Sequence, residues 1–588
     1  MTAEKPPEKL IPLFLPHSSA STEINKTGSW RYVRPYYDEK TSPCSAACPL
    51  GEDIARIEML ASQKSFLQAW EMILKENPFP ATCGRVCFHH CEQACNRSQF
   101  DDPVAIHQLE RFLGDTAIYA QQLPEIRTLP DNGKKVAIAG AGPAGLGAAY
   151  FLACLGYRCE VFESQPEAGG ILRWGIPRYR LPQDILQKEI KRIKSLGITI
   201  HCRTPVSAEM LETFKSRYDA LFCGWGYGRA INLKIEGAQK AIDGLQFLYQ
   251  IRAEEGVSLN EKGTAAVIGG GNTAIDVART LVRMGVDPII VYRRRRQDMP
   301  AFDPEVEMAL NEGVQLKALL SPIRIEETAS GSPPKAIKYL LTLQKMKVSA
   351  TQIDGRARVV PDDDQTETLE VDHVFTAIGA EITESWQTIS GNEHLSVKLS
   401  HCRLIHADTP IVYGGDLTNR VKSVADAIAS GKQAAIALDT VFKSGWNAVY
   451  KAVADCQIGP GPAVSMAIYL GETRKNQNPH LVTYDEINTD YFRSVPRTDA
   501  PVLSADDRIR SFVPVESTFS KRAALEESRR CFNCGICNSC DICRLYCPEM
   551  SVLINDAGRR IDLDYCKGCG LCVAECPRNA MALKEEAT

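Results

Sequence analysis

The chain has 588 residues, enough for about three to five domains, and its 44% hydrophobic and 24% charged side chains are an ordinary globular balance. A net charge of −4 and a pI near 6.3 offer no basic footprint for nucleic acid or an anionic membrane. No apolar run approaches the ~20 residues of a membrane span, and the stretch Ile11–Leu15 is too short for a signal-peptide core, so a cytoplasmic protein is expected.

Residues 1–43 are proline-rich and aperiodic, and predict an extended arm. Residues 44–125 predict a small helical domain with a helical stretch at Ile54–Leu74. Cys44-x3-Cys48-Pro precedes that stretch, and Cys83-x3-Cys87-x3-Cys91-x3-Cys95 follows it. The chain holds 22 cysteines, six of them here and ten between Cys531 and Cys576. In a reducing compartment, thiols clustered this way read as metal ligands rather than disulfides. Six thiols suffice for at least one 4Fe–4S cluster. His89 and His90 lie between them and read as loop residues.

Residues 126–263 open a nucleotide-binding pattern. The strand Val136–Ala139 runs into Gly140-Ala-Gly142-Pro143-Ala144-Gly145, then a helix at Leu146–Leu155 and a strand at Cys159–Glu163. In such a turn the first glycine bends the chain, the second admits pyrophosphate to the backbone, and the third lets helix and strand pack closely. The helix N-terminus offers free N–H groups to the pyrophosphate, and Glu163 can accept from ribose hydroxyls. Gly169, Gly170 and Leu172 follow. Far downstream, Tyr413-Gly414-Gly415-Asp416 leads into a helix beginning near Ser423. That second turn suits FAD: Asp416 can hold the ribityl hydroxyls, and the helix end can stabilise negative charge on the flavin.

Between these segments lies a second strand–turn–helix unit, residues 264–375. Ala265–Ile268 leads into Gly269-Gly-Gly271-Asn272-Thr273-Ala274, followed by the helix Ala274–Met284 and the strand Pro288–Tyr292. The last strand ends in Arg293 to Arg296 rather than in an acid. An acid there favours NAD, whereas Arg293 and Arg294 can hold a 2′-phosphate, so NADPH is expected. The pattern predicts an α/β protein with two nested Rossmann-like dinucleotide-binding domains. The NAD(P) domain is inserted in an FAD domain whose second part is 376–450. A helical iron–sulfur domain precedes them, and a bacterial-ferredoxin-like domain follows.

Residues 451–525 read as a proline-interrupted connector. From 526 the chain is cysteine-dense, with Cys537-x2-Cys540-x2-Cys543-x3-Cys547-Pro and Cys566-x2-Cys569-x2-Cys572-x3-Cys576-Pro. These are two bacterial ferredoxin runs, in which each fourth cysteine serves the other cluster. Cys537, Cys540, Cys543 and Cys576 are expected to hold one 4Fe–4S cluster, and Cys566, Cys569, Cys572 and Cys547 the other. Cys531 and Cys534 are left unassigned.

Residues 44–450 resemble the glutamate synthase small-subunit family of FAD and NAD(P) oxidoreductases. The resemblance rests on Gly84-Arg-Val-Cys87, Cys91-Glu-x-x-Cys95, the turn at 140–145, Gly175-Ile-Pro177 and Gly269-Gly-Gly-Asn-Thr-Ala274-Ile-Asp276. It implies that Cys48, Cys87, Cys91 and Cys95 form one complete cluster site. It also implies that Cys44 and Glu110 match two ligand positions of a second, to which Cys83 could contribute. The CxxC pair that should precede Cys44 is replaced by Tyr37-Asp-Glu-Lys-Thr-Ser-Pro43. The appended ferredoxin domain is similar to a subgroup that works with reverse dissimilatory sulfite reductase in sulfur metabolism. Thr27-Gly-Ser-Trp-Arg31 resembles a segment of 2-oxoacid:ferredoxin oxidoreductases.

The expected reaction is hydride transfer between nicotinamide and flavin, followed by single-electron transfer through clusters to or from a redox protein partner. That partner could be a dissimilatory sulfite reductase, a phenylglyoxylate-type 2-oxoacid oxidoreductase or a ferredoxin, with a homo-oligomer also open. No acid or base side chain is required, so none is named as catalytic. The rivals are a glutamate synthase small subunit and a non-enzymatic electron wire. A disulfide reductase would need a cysteine pair beside the flavin, and 264–375 contains no cysteine.

Overall fold

The computed structural model describes residues 24–120, 124–254, 259, 263–330, 336–353, 356–382, 396–555 and 558–586. The first part of the expected arm, 1–23, lies outside the described residues. Two parallel sheets, each fed by short apolar strands that enter a glycine turn, carry the central region. In the seven-stranded sheet, Lys135–Ala139 lies between Arg158–Phe162 and Ala220–Cys223, with Thr199–His201 and Ile411–Tyr413 outside them, all parallel. Arg403–Ile405 and Ser396–Lys398 extend one edge antiparallel. The helix Pro143–Cys154 is buried along its whole length because the helix Val424–Ser444 covers it. Gly431 makes this crossing possible: a Cβ there would stand 2.4 Å from the Ala148 nitrogen.

The second sheet has five parallel strands, ordered Gln315–Ala318, Asp287–Tyr292, Thr264–Ile268, His373–Thr376 and Ile242–Asp243. A three-stranded antiparallel sheet, Leu320–Ser330, Ala336–Ile353 and Arg356–Val371, packs beside it. The chain leaves the first domain through Arg229–Ala230 and returns through Ala380–Glu381, and these two short strands pair antiparallel. The inserted domain is therefore wider than 264–375. Its edge strand is two residues long and has no period to read, so the sequence could not reveal it.

The helical stretch 54–74 divides into Ile54–Ser62 and Phe66–Leu74 because Lys64 adopts a left-handed backbone, φ 68°. The described part of the arm is structured. Val33–Tyr37 pairs antiparallel with Met581–Glu585, and the Arg31 guanidinium donates to the Leu563 and Cys566 carbonyls at 2.6 and 2.8 Å. The connector also turns back: Asn478–Leu481 pairs with Lys40–Thr41, and the helix Lys521–Ser528 packs on Ile54–Ser62. A buried ionic latch secures this return. Arg97 holds Asp101 at 2.6–2.8 Å and donates to the Arg530 carbonyl, while Arg530 holds Glu527 at 2.6 Å and Asp101 at 3.1 Å. Glu527 in turn accepts from the Ala105 N–H at 2.8 Å. The two cysteine-rich ends of the chain thus become neighbours.

Candidate functional site

The flavin cradle forms where three glycine segments meet at the start of Pro143–Cys154. Gly140 has φ +98°, and a Cβ on Gly145 would stand 1.9 Å from the Gly140 carbonyl oxygen, so only glycine fits this turn. Gly170, at φ +51°, faces Gly142 so closely that a Cβ would come within 2.7 Å of its Cα. A Cβ on Gly415 would stand 2.9 Å from Ala144, which brings the second flavin segment onto the same helix end. Bare backbone from three segments around a helix N-terminus fits a dinucleotide pyrophosphate.

Glu163 is buried at the tip of its strand. Its two oxygens accept from the Ala141 N–H at 2.7 Å and the Gln165 N–H at 2.9 Å. An ionised carboxylate retains further lone pairs for ribose hydroxyls. Burial raises the Asp416 carboxyl, opposed by Lys422. The Leu172 side chain is fully buried in the core, two residues after Gly170.

The nicotinamide turn is more open. A Cβ on Gly271 would meet nothing within 4 Å, whereas one on Gly269 would stand 2.3 Å from the Ala377 carbonyl oxygen. The free space lies at the N-terminus of the helix Asn272–Arg283. Asn272 fixes the rim by accepting from the Phe302 N–H at 2.9 Å, Thr273 is half-buried beside it, and Ala274 packs beneath the turn. The four arginines differ. Arg295 is held by Asp298 at 2.7 Å, and Arg296 by Asp303 and Glu307 at 2.7 Å. Arg293 is exposed, Arg294 has a buried Nε without a partner, and neither forms an ion pair with a described residue.

A buried ionic network joins the two domains. Arg180 of the flavin domain holds Asp276 at 2.9 Å and Glu305 at 3.1 Å, and Arg279 and Arg283 converge on Glu312. The Arg283 guanidinium also lies 3.9 Å from the Tyr179 ring centroid.

Three small cavities are each lined by four cysteines. One contains Cys537, Cys540, Cys543 and Cys576. A second contains Cys547, Cys566, Cys569 and Cys572. The third contains Cys44, Cys95, Cys531 and Cys534. Cys540 and Cys569 reach the surface. A fourth group comprises Cys48, Cys87 and Cys91. Burial pushes these thiols up, Cys87 to about 12, and Glu110 and Glu52 reinforce the rise at Cys48 and Cys87. Asn77 donates to Glu52 at 2.9 Å and to Glu110 at 2.8 Å, and the Cys83 thiol donates to the Asn77 side-chain oxygen at 3.7 Å. Burial holds the Glu52 carboxyl up to about 7.

Relative to the expected N-terminal sets, Cys95 and Glu110 exchange places: Cys95 lies with Cys44, and Glu110 with Cys48 and Cys87. Cys95 follows the short helical turn His90–Gln93 in extended backbone, φ −69°, which separates it from Cys91. Spacing alone carries no sign of this separation.

Electrostatic interactions link the thiol groups in turn. Asp426, at the start of the flavin-domain helix, acts on Cys87, and Cys44 acts on Cys91. The Arg578 guanidinium then feels both Cys531 and Cys534 on one side and Cys540 and Cys576 on the other. His89, Glu92 and His107 form a separate cluster, with His107 Nδ1 2.6 Å from Glu92, which Arg497 also holds at 2.8 Å. Cys154 and Cys159 are both buried, at a helix end and in a strand. Among the described residues no helix is long and apolar enough to cross a membrane.

Comparison with known proteins gives three family matches. Residues 134–431 match the pyridine nucleotide-disulphide oxidoreductases, 37–122 the 4Fe-4S domain II of dihydropyrimidine dehydrogenase, and 559–582 a 4Fe-4S binding domain. The NADP(+)-dependent formate dehydrogenase subunit beta of Moorella thermoacetica is 31% identical over 84% of this chain and 70% of its own length. The NADPH-Fe(3+) oxidoreductase subunit beta of Geobacter sulfurreducens is 29% identical over 85% and 76%. The glutamate synthase [NADPH] small chain of Escherichia coli is 30% identical over 67% and 87%.

Proposed function

Because the chain belongs to the pyridine nucleotide-disulphide oxidoreductase family, among the FAD and NAD(P)H oxidoreductases that include the glutamate synthase small chain, we propose that it moves electrons between NADPH and a separate redox protein. It is an oxidoreductase with FAD, NAD(P)H and 4Fe–4S clusters as its cofactors. The observation that carries the proposal is the set of three four-cysteine cavities, two of them reaching the surface at Cys540 and Cys569, together with the dinucleotide cradles. Bound FAD would take one hydride, two electrons with a proton, from the nicotinamide and pass the electrons on singly with release of the proton.

The protein's own residues bind and orient. Gly140, Gly142, Gly145, Gly170 and Gly415 hold the FAD diphosphate and dock its two segments, Glu163 the ribose, and Asp416 the ribityl chain. Gly269, Gly271, Asn272 and Thr273 hold the NADPH pyrophosphate. Arg293 and Arg294, free of acid partners among the described residues, take the 2′-phosphate. Cys48, Cys87 and Cys91, with Glu110 as fourth ligand, hold the cluster next to the flavin. The two ferredoxin sets hold the exit clusters, and Leu545, Met550 and Ile554 expose apolar surface on that domain for a partner.

The specific partner proposed is dissimilatory sulfite reductase in the cytoplasm, on the likeness of the appended ferredoxin domain. A formate dehydrogenase catalytic subunit is a second reading, favoured by the Moorella relative. Stopped-flow mixing of the NADPH-reduced protein with each purified partner tests this. Fast cluster reoxidation by sulfite reductase supports the first reading, and reoxidation only by formate dehydrogenase replaces it. Failure with every protein acceptor would contradict a transfer role.

A further inference from the structure

We infer that Cys44, Cys95, Cys531 and Cys534 hold a 4Fe–4S cluster built from the two ends of the chain. The inference needs cluster assembly in this chain, but not the identity of the nucleotide or the partner. All four thiols line one cavity, as each ferredoxin set does. Ile54, Val104, Ile106 and Phe532 give the cavity a largely apolar wall.

Two of the four sulfurs accept N–H hydrogen bonds, as two of the ferredoxin sulfurs do. The Asn533 N–H reaches Cys531 Sγ at 3.3 Å, and the Asn96 amide reaches Cys534 Sγ at 3.5 Å. In the ferredoxin domain, Ser551 N–H to Cys547 and Ala580 N–H to Cys576 are both 3.3 Å. Such N–H···S bonds stabilise cluster-bound thiolate and help set its potential.

With Zn–S near 2.3 Å, tetrahedral geometry places sulfurs only about 3.8 Å apart. Among the described residues, the only three ligand atoms lying within 4.8 Å of one another are those of His89, Glu92 and His107. No three of these four sulfurs form such a group, and neither do three in either ferredoxin set, so the four thiols behave as the ferredoxin ligands do and not as a compact single-ion site.

The architecture also gives the missing ligands a source. Residues 37–43, where the resemblance places a CxxC pair that would complete the site locally, contain no cysteine. Instead the latch of Arg97, Asp101, Glu527 and Arg530 brings Cys531-x2-Cys534 to it, and Asn533 pins the loop by donating to the Ala55 carbonyl at 2.9 Å. The site has electrostatic neighbours on both sides: Cys44 interacts with Cys91 of the Cys48 group, and Arg578, which lines the first ferredoxin cavity, interacts with Cys531 and Cys534. The cluster would therefore join the flavin side to the ferredoxin domain and make their docking depend on cluster assembly.

The test is the Cys531→Ser/Cys534→Ser double variant of the full chain, with FAD content as the folding control. Iron and acid-labile sulfide should each fall by about four per chain. Reduction of the ferredoxin clusters by NADPH should slow at least about tenfold, as expected for a lost intermediate carrier. Asn96→Leu, which leaves all four thiols in place, should retain iron and shift the potential of a single cluster to a more negative value. Unchanged iron in the double variant, zinc in place of iron, or a Cys531–Cys534 disulfide in the native protein would overturn the inference. If the double variant does not fold, an Asn96→Leu protein with no cluster potential shifted overturns it. Failure of NADPH to reduce the flavin would instead strike the proposed function and leave the iron count unaffected.

Discussion

Replacing Arg293 and Arg294 by alanine tests the nucleotide assignment. Arg294 has a buried, unpartnered Nε, so a charge-assisted bond from it to phosphate should contribute ~2 kcal/mol, or about 30-fold in kcat/KM. Arg293 is exposed and screened, so ~1 kcal/mol, about fivefold, is the better figure. Adjacent residues on one phosphate are not strictly additive, so the double variant should lose about 30- to 150-fold with NADPH. With NADH, which has no 2′-phosphate, the change should be under about threefold. The assay is steady-state reduction of an artificial flavin acceptor under anaerobic conditions. Arg295→Ala and Arg296→Ala serve as controls because those side chains are already held by Asp298, Asp303 and Glu307. Equal losses with both nucleotides, or no loss with NADPH, would refute the reasoning.

Three further outcomes follow from the same geometry. Gly170→Ala places a methyl 2.7 Å from Gly142 Cα at a left-handed backbone position, so the purified variant should contain little FAD by absorbance; full flavin content would contradict the cradle. Burial raises the Asp276 carboxyl from 3.8 to about 6 although Arg180 holds it. A raised carboxylate costs folded-state stability above its unfolded value, and protonation relieves that cost as pH falls. Between pH 7 and pH 5 the wild type should therefore gain about 1 kcal/mol relative to Asp276→Asn in denaturant unfolding, and a flat or reversed difference would count against it. Cys569→Ser should leave NADPH-driven flavin bleaching intact while slowing transfer to a protein acceptor; undiminished transfer would show that electrons leave elsewhere.

Much of the site was legible because its chemistry is local. A pyrophosphate cradle needs bare backbone at a helix start, and that need is written into Gly140–Gly145 and Gly269–Ala274. The ferredoxin runs carry their ligands at short, regular spacings, and the cavities bring Cys547 and Cys576 to the sets expected from the crossing rule. What was not legible depends on contacts between distant segments. The union of Cys44 and Cys95 with Cys531 and Cys534 is produced by Arg97 and Arg530, whose charges read as ordinary surface residues until the fold buries them. Likewise, Val33–Tyr37 is interrupted by Pro35 and looks like arm until it pairs with Met581–Glu585.

Anaerobic titration of the purified protein with NADPH, followed by flavin absorbance and low-temperature EPR, tests the central claim most directly. The account predicts flavin bleaching followed by reduced 4Fe–4S signals. Flavin bleaching with no cluster reduction, or no bleaching at all, would contradict it.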